Sequence, residues 1–236
     1  KIYFFEFNNN NRFQVFSQLI DDTIIPSNCN DVLDSSGFGF AVNLNFYDPK
    51  GKAVGGYQID ENYFRKPWQN DGDPFHKWGN FKIIEGKPYV GSNTYFEKIK
   101  GLVSQYAQCY PLLIENGEVR DYIIKGKDKR LNINKLRNVI GAKDDKLVCI
   151  LSHNGAYLSF PEMATICQEY GLDQVTCFDG GFPLQYEFRT DNFNISFCGN
   201  NNTQGVISDE FESNFLSENG TRLNQKSPVF LIVKGE

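Results

Sequence analysis

Residues 147–183 constrain this chain more than any other part of it. Leu147-Val-Cys-Ile-Leu-Ser152 is an unbroken apolar run of strand length, the pattern of a strand buried on both faces. Ser159-Phe-Pro-Glu162 has capping-box spacing, in which the Ser hydroxyl and the Glu carboxylate each satisfy a free amide at a helix start. Phe160, Met163, Ala164, Cys167 and Tyr170 recur on one helical face, and Gly171 supplies the stop. Val175-Thr-Cys-Phe178 is the next strand, and it ends at Asp179-Gly180-Gly181-Phe182-Pro183. Strand, helix, strand predicts a right-handed βαβ crossover. Parallel strands would bring both carboxyl ends to one sheet edge, where ligands of open α/β sheets bind. Ser152-His153-Asn154-Gly155 leaves one end and the Asp179 turn leaves the other; His153 is one of two histidines in the chain. An acid followed by two glycines is also an ordinary turn, so the residues alone leave both readings open.

The flanking segments predict mostly strands. Ile2–Phe7 and Arg12–Phe16, joined by four asparagines, read as an opening hairpin. Asp21–Ser36 is polar and irregular, broken by Pro26. In Phe38–Phe46 the apolar residues Phe38, Phe40, Val42, Leu44 and Phe46 alternate with Gly39, Ala41, Asn43 and Asn45, which suits a strand lining a pocket or one facing solvent. Asp48–Gly51 is a tight turn, and Gly55-Gly56-Tyr-Gln-Ile begins a return strand. Glu61–Asn93 reads as loop-rich, with Trp68, Trp78 and His76 placed either to stack on sugars or to pack over a core. Tyr95–Tyr106 has helical spacing interrupted by Gly101. Leu112–Ile124 is a hairpin about Asn116-Gly117, a pair suited to a type I′ turn, and Lys125–Arg130 is a solvated loop. Asn192–Phe197 and Ser227–Val233 complete the strands. The expected fold class is α+β (mixed α/β): one domain over residues 1–236, with a twisted mixed β-sheet, hairpins and at least one βαβ unit.

Composition excludes some functions. A net charge of -5 without a basic cluster argues against a nucleic-acid duplex as partner. No apolar run is long enough to span a membrane. Aromatics at 15% fill a sheet-rich core or line a sugar cleft. The six cysteines show no CxxC and no compact metal spacing, and Cys149, Cys167 and Cys177 read as buried thiols. Asn194, Asn201 and Asn219 head glycosylation sequons, which such an Asn-rich chain also generates by chance. The chain opens on a strand without an initiator Met, so it would be secreted or at the cell surface if a signal peptide was removed, and otherwise cytoplasmic or viral.

The order of motifs carries a resemblance. Asn43 and Phe46 end a strand; Gln108, Pro111, Asn116 and Gly117 form a hairpin motif; Arg137 and Gly141 precede the strand–helix unit; Asp179-Gly180-Gly181 and a final Pro-Val strand follow. In this order, from about Phe38 to Val233, the chain resembles the phosphodiester glycosidase family. It departs from the family at Leu44, where glycine is usual, at Asn138, where threonine often stands, at His153-Asn154-Gly155 in place of Asp-Gly, and at Phe182-Pro183 in place of Gly-Ser.

The resemblance implies hydrolysis of the sugar C1–O–phosphate bond in a sugar-1-phosphodiester, with an N-acetylglucosamine-type glycan or a nucleotide sugar as substrate. A phosphate monoester leaving group, with a second pKa near ~6, leaves as an anion at neutral pH, so donors to phosphate charge matter more than a strong acid. Arg137 is then the expected phosphate ligand. Asp179 is the carboxylate that stabilises or attacks the anomeric centre or activates water. His153 orients or protonates; Asn43, Asn45 and Gln108, with Gly180 and Gly181, bind substrate. No metal ligand set is expected, although a divalent cation beside Asp179 and a phosphate is compatible with this chemistry. The alternatives are a catalytically altered glycan- or nucleotide-binding module and a structural scaffold on the same fold.

Overall fold

The computed structural model describes residues 1–20, 23–25, 27–34, 39–45, 54–59, 62–65, 77–92, 102–126, 128–153, 155–181, 183–198, 227 and 229–235. The expectations for Phe38, Phe46, Asp48–Gly51, Trp68, His76, residues 95–101, Asn154, Phe182, Asn201 and Asn219 lie outside the described residues. In chain order the elements are β1 (Ile2–Phe7), β2 (Arg12–Phe16), β3 (Gln18–Ile20), β4 (Thr23–Ile25), α1 (Cys29–Asp34), β5 (Gly39–Asn43), β6 (Tyr57–Ile59) and β7 (Asn62–Arg65). Next come β8 (Gly79–Ile84), β9 (Lys87–Ser92), β10 (Val103–Cys109), β11 (Leu112–Glu115), β12 (Glu118–Val119), α2 (Asp121–Ile124) and β13 (Asn138–Lys143). The chain closes with β14 (Lys146–Ser152), α3 (Phe160–Glu169), β15 (Gln174–Phe178), β16 (Gln185–Arg189), β17 (Asn194–Cys198) and β18 (Phe230–Lys234).

Three larger sheets result, ordered β1-β14-β13-β15-β11-β12, β7-β6-β10-β8-β9 and β17-β16-β5-β18-β2; β3 and β4 pair separately. One core joins all three. Leu147, Cys149, Leu151 and Phe178 enter it from the first sheet, Phe81, Ile83 and Ala107 from the second, and Phe40, Val42 and Leu231 from the third. Intervening residues of the first sheet (Val139, Val148, Ile150, Val175, Cys177) face a second core with Met163, Ala164 and Cys167 of α3. Helix α1 covers the back of the third sheet, packing Val32 and Leu33 on Ala41, Phe230 and Ile232.

The architecture is β-rich, and this corrects the α+β expectation and its βαβ unit. β14 and β15 do run in the same direction, but β13 lies between them, antiparallel to both. The apolar run at 147–152 therefore reports burial on two faces, by the shared core and by α3, and not membership of a parallel sheet. Asn138, Gly141 and Lys143 dilute the apolar pattern of β13, so its sequence does not mark it as a strand. The opening hairpin is also corrected: after the asparagine turn, β1 pairs with β14 and β2 with β18, in different sheets. Within the segment read as loop-rich, β8 and β9 form a hairpin. Within the segment read as helical, Val103–Tyr106 belongs to strand β10, and past Val119 the chain turns into α2 where continued strand was expected.

Local signals hold where the determinants are local. Ser159 caps α3, with its hydroxyl accepting from the Glu162 N–H at 3.3 Å and the Glu162 carboxylate accepting from the Ser159 N–H at 2.7 Å. Asn116 and Gly117 take φ of 54° and 77°, as the type I′ turn requires. Replacing Ser159 by Ala should cost about 1 kcal/mol of unfolding free energy, measurable by urea titration, because one cap acceptor is lost while the core is untouched.

Candidate active site

The end of β5, the start of β13 and the end of β15 meet at Asp179. The Asp179 N–H donates to the Leu44 carbonyl at 2.9 Å. The Asp179 carbonyl accepts from Asn43 Nδ2 at 3.0 Å and from Asn138 Nδ2 at 3.3 Å. Asn138 Nδ2 also donates to the Asn43 carbonyl at 2.6 Å, and Asn43 Oδ1 accepts the Gln185 N–H at 2.9 Å. Asn43 and Asn138 are fully buried, so these bonds form in a low-dielectric interior where unpaired amides are costly.

The glycines after Asp179 allow backbones to touch. A Cβ on Gly180 would stand 2.4 Å from the Leu136 carbonyl oxygen. Gly181 has φ +67° and donates its N–H to that same oxygen at 2.8 Å. Asn45 and Gln108 form an adjoining polar patch. The Gln108 side-chain oxygen accepts the Gly56 N–H and its backbone N–H donates to the Gly56 carbonyl, both at 2.8 Å. Asn45 Nδ2 donates to the same carbonyl at 3.3 Å, while its buried Oδ1 accepts no hydrogen bond among the described residues.

Asp179 is 6% exposed, and its backbone is fully engaged. Burial pushes its carboxyl well above the usual range, opposed by the positive charge of Lys135. Lys135 was not among the residues singled out from the sequence. It is half-buried, exchanges backbone hydrogen bonds with Leu158, and passes beside Gly181. Burial and the neighbouring Arg137 lower its pKa, and Asp179 opposes that shift. No sequence pattern marks a lone Lys between Asn134 and Leu136; only the turn of β15 brings it to the acid.

Arg137 and His153 stand near the same edge but point to other partners. Arg137 Nε donates to the Leu158 carbonyl at 2.7 Å, its Nη2 to the Ile133 carbonyl, and its guanidinium lies 3.6 Å over the Phe160 ring. It is 5% exposed, and burial pushes its pKa down to about 10, opposed by Cys177 and Glu162. His153 Nδ1 lies 2.7 Å from the Tyr186 hydroxyl, and its ring packs on Tyr3 and Phe197. Burial, and then the positive charges at Lys1, hold its pKa below the ordinary value. Because β13 separates β14 from β15, the backbones at His153 and Asp179 are roughly two strand spacings, about 9–10 Å, apart. No hydrogen bond joins the two side chains among the described residues.

The model of the phosphodiester glycosidase family matches residues 36–203. The chain belongs to the phosphodiester glycosidase family. Among solved structures, the catalytic domain of zebrafish N-acetylglucosamine-1-phosphodiester alpha-N-acetylglucosaminidase, auto-inhibited by its pro-peptide, superposes with a TM-score of 0.65 at 13% identity. That match covers 100% of this chain and 83% of the zebrafish chain. A hypothetical protein from Synechocystis matches at 0.63 and 10% identity, over 98% of this chain and 58% of its own. At these identities the structural likeness speaks for the fold. A search of curated proteins returns no match.

The family-matched span holds the Asp179 turn and both amides of its clasp. Among the described residues, no group of three or more His, Cys, Asp or Glu side chains converges as a metal site. No helix among them is long and apolar enough to cross a membrane.

The raised pKa of Asp179 has a stability consequence. The folded state keeps this proton to higher pH than the unfolded state does, so the contribution favours folding at low pH and is lost as pH rises through the folded value. Asp179→Asn should therefore unfold at a higher temperature than the wild type at neutral pH. The gain should vanish as pH falls below about 4, the unperturbed carboxylate range. Thermal melts across pH test this, and a gain independent of pH would contradict it.

Proposed function

We propose that the chain hydrolyses the bond between a sugar's anomeric carbon and a phosphodiester oxygen, with an N-acetylglucosamine-1-phosphodiester or a nucleotide sugar as substrate. The observation that carries this reading is the buried Asp179, held by its backbone with a lysine beside it, within a chain of this family. A carboxylate whose proton is held more tightly is a stronger base, so Asp179 takes the proton of the attacking water or attacks the anomeric carbon itself. The phosphate leaves as an anion and needs a positive donor more than an acid. Lys135 supplies that donor. The guanidinium of Arg137 is occupied by two carbonyls and the Phe160 face, so its part is to hold the Ile133–Leu158 crossing from which Lys135 projects. Asn45, whose Oδ1 has no protein partner among the described residues, and Gln108 receive sugar hydroxyls. His153, bonded to Tyr186, orients the far side of the edge.

A binding module on the same fold is the second reading, favoured by Leu44, whose side chain fills the core where the family has glycine, and by Phe182-Pro183 after the Asp-Gly-Gly. Release of sugar from UDP-N-acetylglucosamine separates the two: turnover selects the hydrolase, and a ligand-induced thermal shift without turnover selects the binder. Given turnover, Asp179→Asn should lower kcat at least ~10²-fold, the usual minimum for a general base. The acid limb of the pH–rate profile should lie above the ordinary carboxylate range. Lys135→Gln should cost about 10–100-fold in kcat/KM on the phosphodiester, corresponding to a charged hydrogen bond of about 1.5–3 kcal/mol. An equal loss on an uncharged aryl glycoside would remove Lys135 from phosphate binding.

A further inference from the structure

The chain entering β13 reaches the Asp179 turn at two points. The Leu136 carbonyl accepts the Gly181 N–H at 2.8 Å, and two residues on, Asn138 Nδ2 donates to the Asp179 carbonyl at 3.3 Å. The same nitrogen donates to the Asn43 carbonyl at 2.6 Å, at the end of β5. Both acceptors are carbonyl oxygens, which cannot donate. The nitrogen of this amide must therefore face them, with its two hydrogens divided between them. Asn138 is fully buried, and its Oδ1 accepts no hydrogen bond among the described residues. An unmet acceptor in a dry interior is a cost that an apolar side chain does not carry. Packing alone does not account for an amide here; the bridge between two carbonyls does.

The two amides that reach Asp179 differ in where they are anchored. Asn43 lies on β5 and holds the Asp179 carbonyl from the third sheet. Asn138 lies on β13, where it is the ladder partner of Phe178, the residue before Asp179. It is thus tied to β15 by its backbone and reaches out to β5 with its side chain. Ladder pairing between β13 and β15 stops at that rung, so Asp179 stands one residue beyond it. Leu44, next to Asn43, accepts the Asp179 N–H. Any drift between β5 and β13 is therefore passed to both backbone groups of Asp179.

We propose that Asn138 is a positioning residue for Asp179: by bridging the carbonyls of Asn43 and Asp179 it locks the junction of the first and third sheets and fixes where the carboxylate stands. Asn138 itself does not touch the reacting atoms. Its consequence for catalysis rests on the hydrolase reading above, whereas its hold on the turn does not. A reacting group displaced by about 1 Å costs on the order of 10²-fold in rate. The amide bonds the main chain on both sides, so it governs position and leaves the protonation of the carboxylate to its surroundings.

The test has two arms. In the first, amide hydrogen exchange is followed by NMR in the wild type and in Asn138→Ala. The Asp179 N–H should exchange at least ~10-fold faster in the variant, while the amides of the β13–β14 ladder keep their protection. An unchanged Asp179 amide overturns the proposal, and so does a loss of protection throughout the ladder, which marks general destabilisation. The second arm measures turnover of UDP-N-acetylglucosamine. In Asn138→Ala, kcat should fall roughly 10–100-fold with KM unchanged. The acid limb of the pH–rate profile should stay at its wild-type position. A rise in KM at constant kcat, or a displaced acid limb, overturns the positioning role. Wild-type protein without turnover removes the hydrolase reading alone, and the exchange arm still decides whether Asn138 holds the turn. Asn138→Thr, with one hydroxyl hydrogen in place of two, should show both losses in reduced size, and it carries the test if the alanine variant does not fold.

Discussion

The amide of Asn43 is the constraint on which the rest of this structure turns. One of its atoms holds the Asp179 carbonyl and another takes the Gln185 N–H, while its own carbonyl receives Asn138 Nδ2. β5 belongs to one sheet, and β13 and β15 to another, so a few buried hydrogen bonds fix how two sheets meet. An aspartate side chain there could accept but not donate, and would bring an uncompensated charge into an apolar core. An apolar residue would leave the Gln185 N–H and Asp179 carbonyl unmatched. An amide supplies a donor and an acceptor on separate atoms without charge, which is what these two partners on different strands require.

How far the sequence could be read follows from how local each determinant is. The capping box at Ser159 and the Asn116-Gly117 turn involve residues within a few positions of each other, and sequence spacing identifies them. The alternation around Phe40, Val42 and Leu44 marks the core face of β5 for the same reason. Sheet order is a nonlocal choice. Nothing in Asn138–Lys143 says that it inserts between β14 and β15, and nothing in the asparagine turn says that β1 and β2 part company. A continuous apolar run reports how many faces are covered, and α3 covers one face of an antiparallel sheet as well as it would cover a parallel one.

The same distinction separates the cations of the site. Arg137 stood out because it belongs to a motif, and the structure gives its guanidinium two carbonyls and an aromatic face. Those contacts align a chain crossing. Lys135 carries no motif, yet it is the cation electrostatically coupled to Asp179 from both sides of the pair. Motif membership identified the right neighbourhood, but the direction of each side chain was decided by register: Arg137 and Asn138 are consecutive on an extended chain and face opposite sides of the sheet, one toward Phe160 and the other toward Asn43.

Asp179 is positioned almost wholly through its backbone. Its N–H and carbonyl are bonded, the next residue packs against Leu136, and no hydrogen bond reaches its carboxylate among the described residues. A carboxylate held by direct donors would have its proton affinity lowered by them. Holding the main chain instead fixes the position of the side chain while leaving burial free to raise its affinity. The paired glycines are part of that arrangement: a Cβ at Gly180 would collide with the Leu136 carbonyl and lift the turn off the segment that leads into β13. Position and protonation are thus set by separate groups, the amides and glycines for the first, the apolar surroundings and Lys135 for the second.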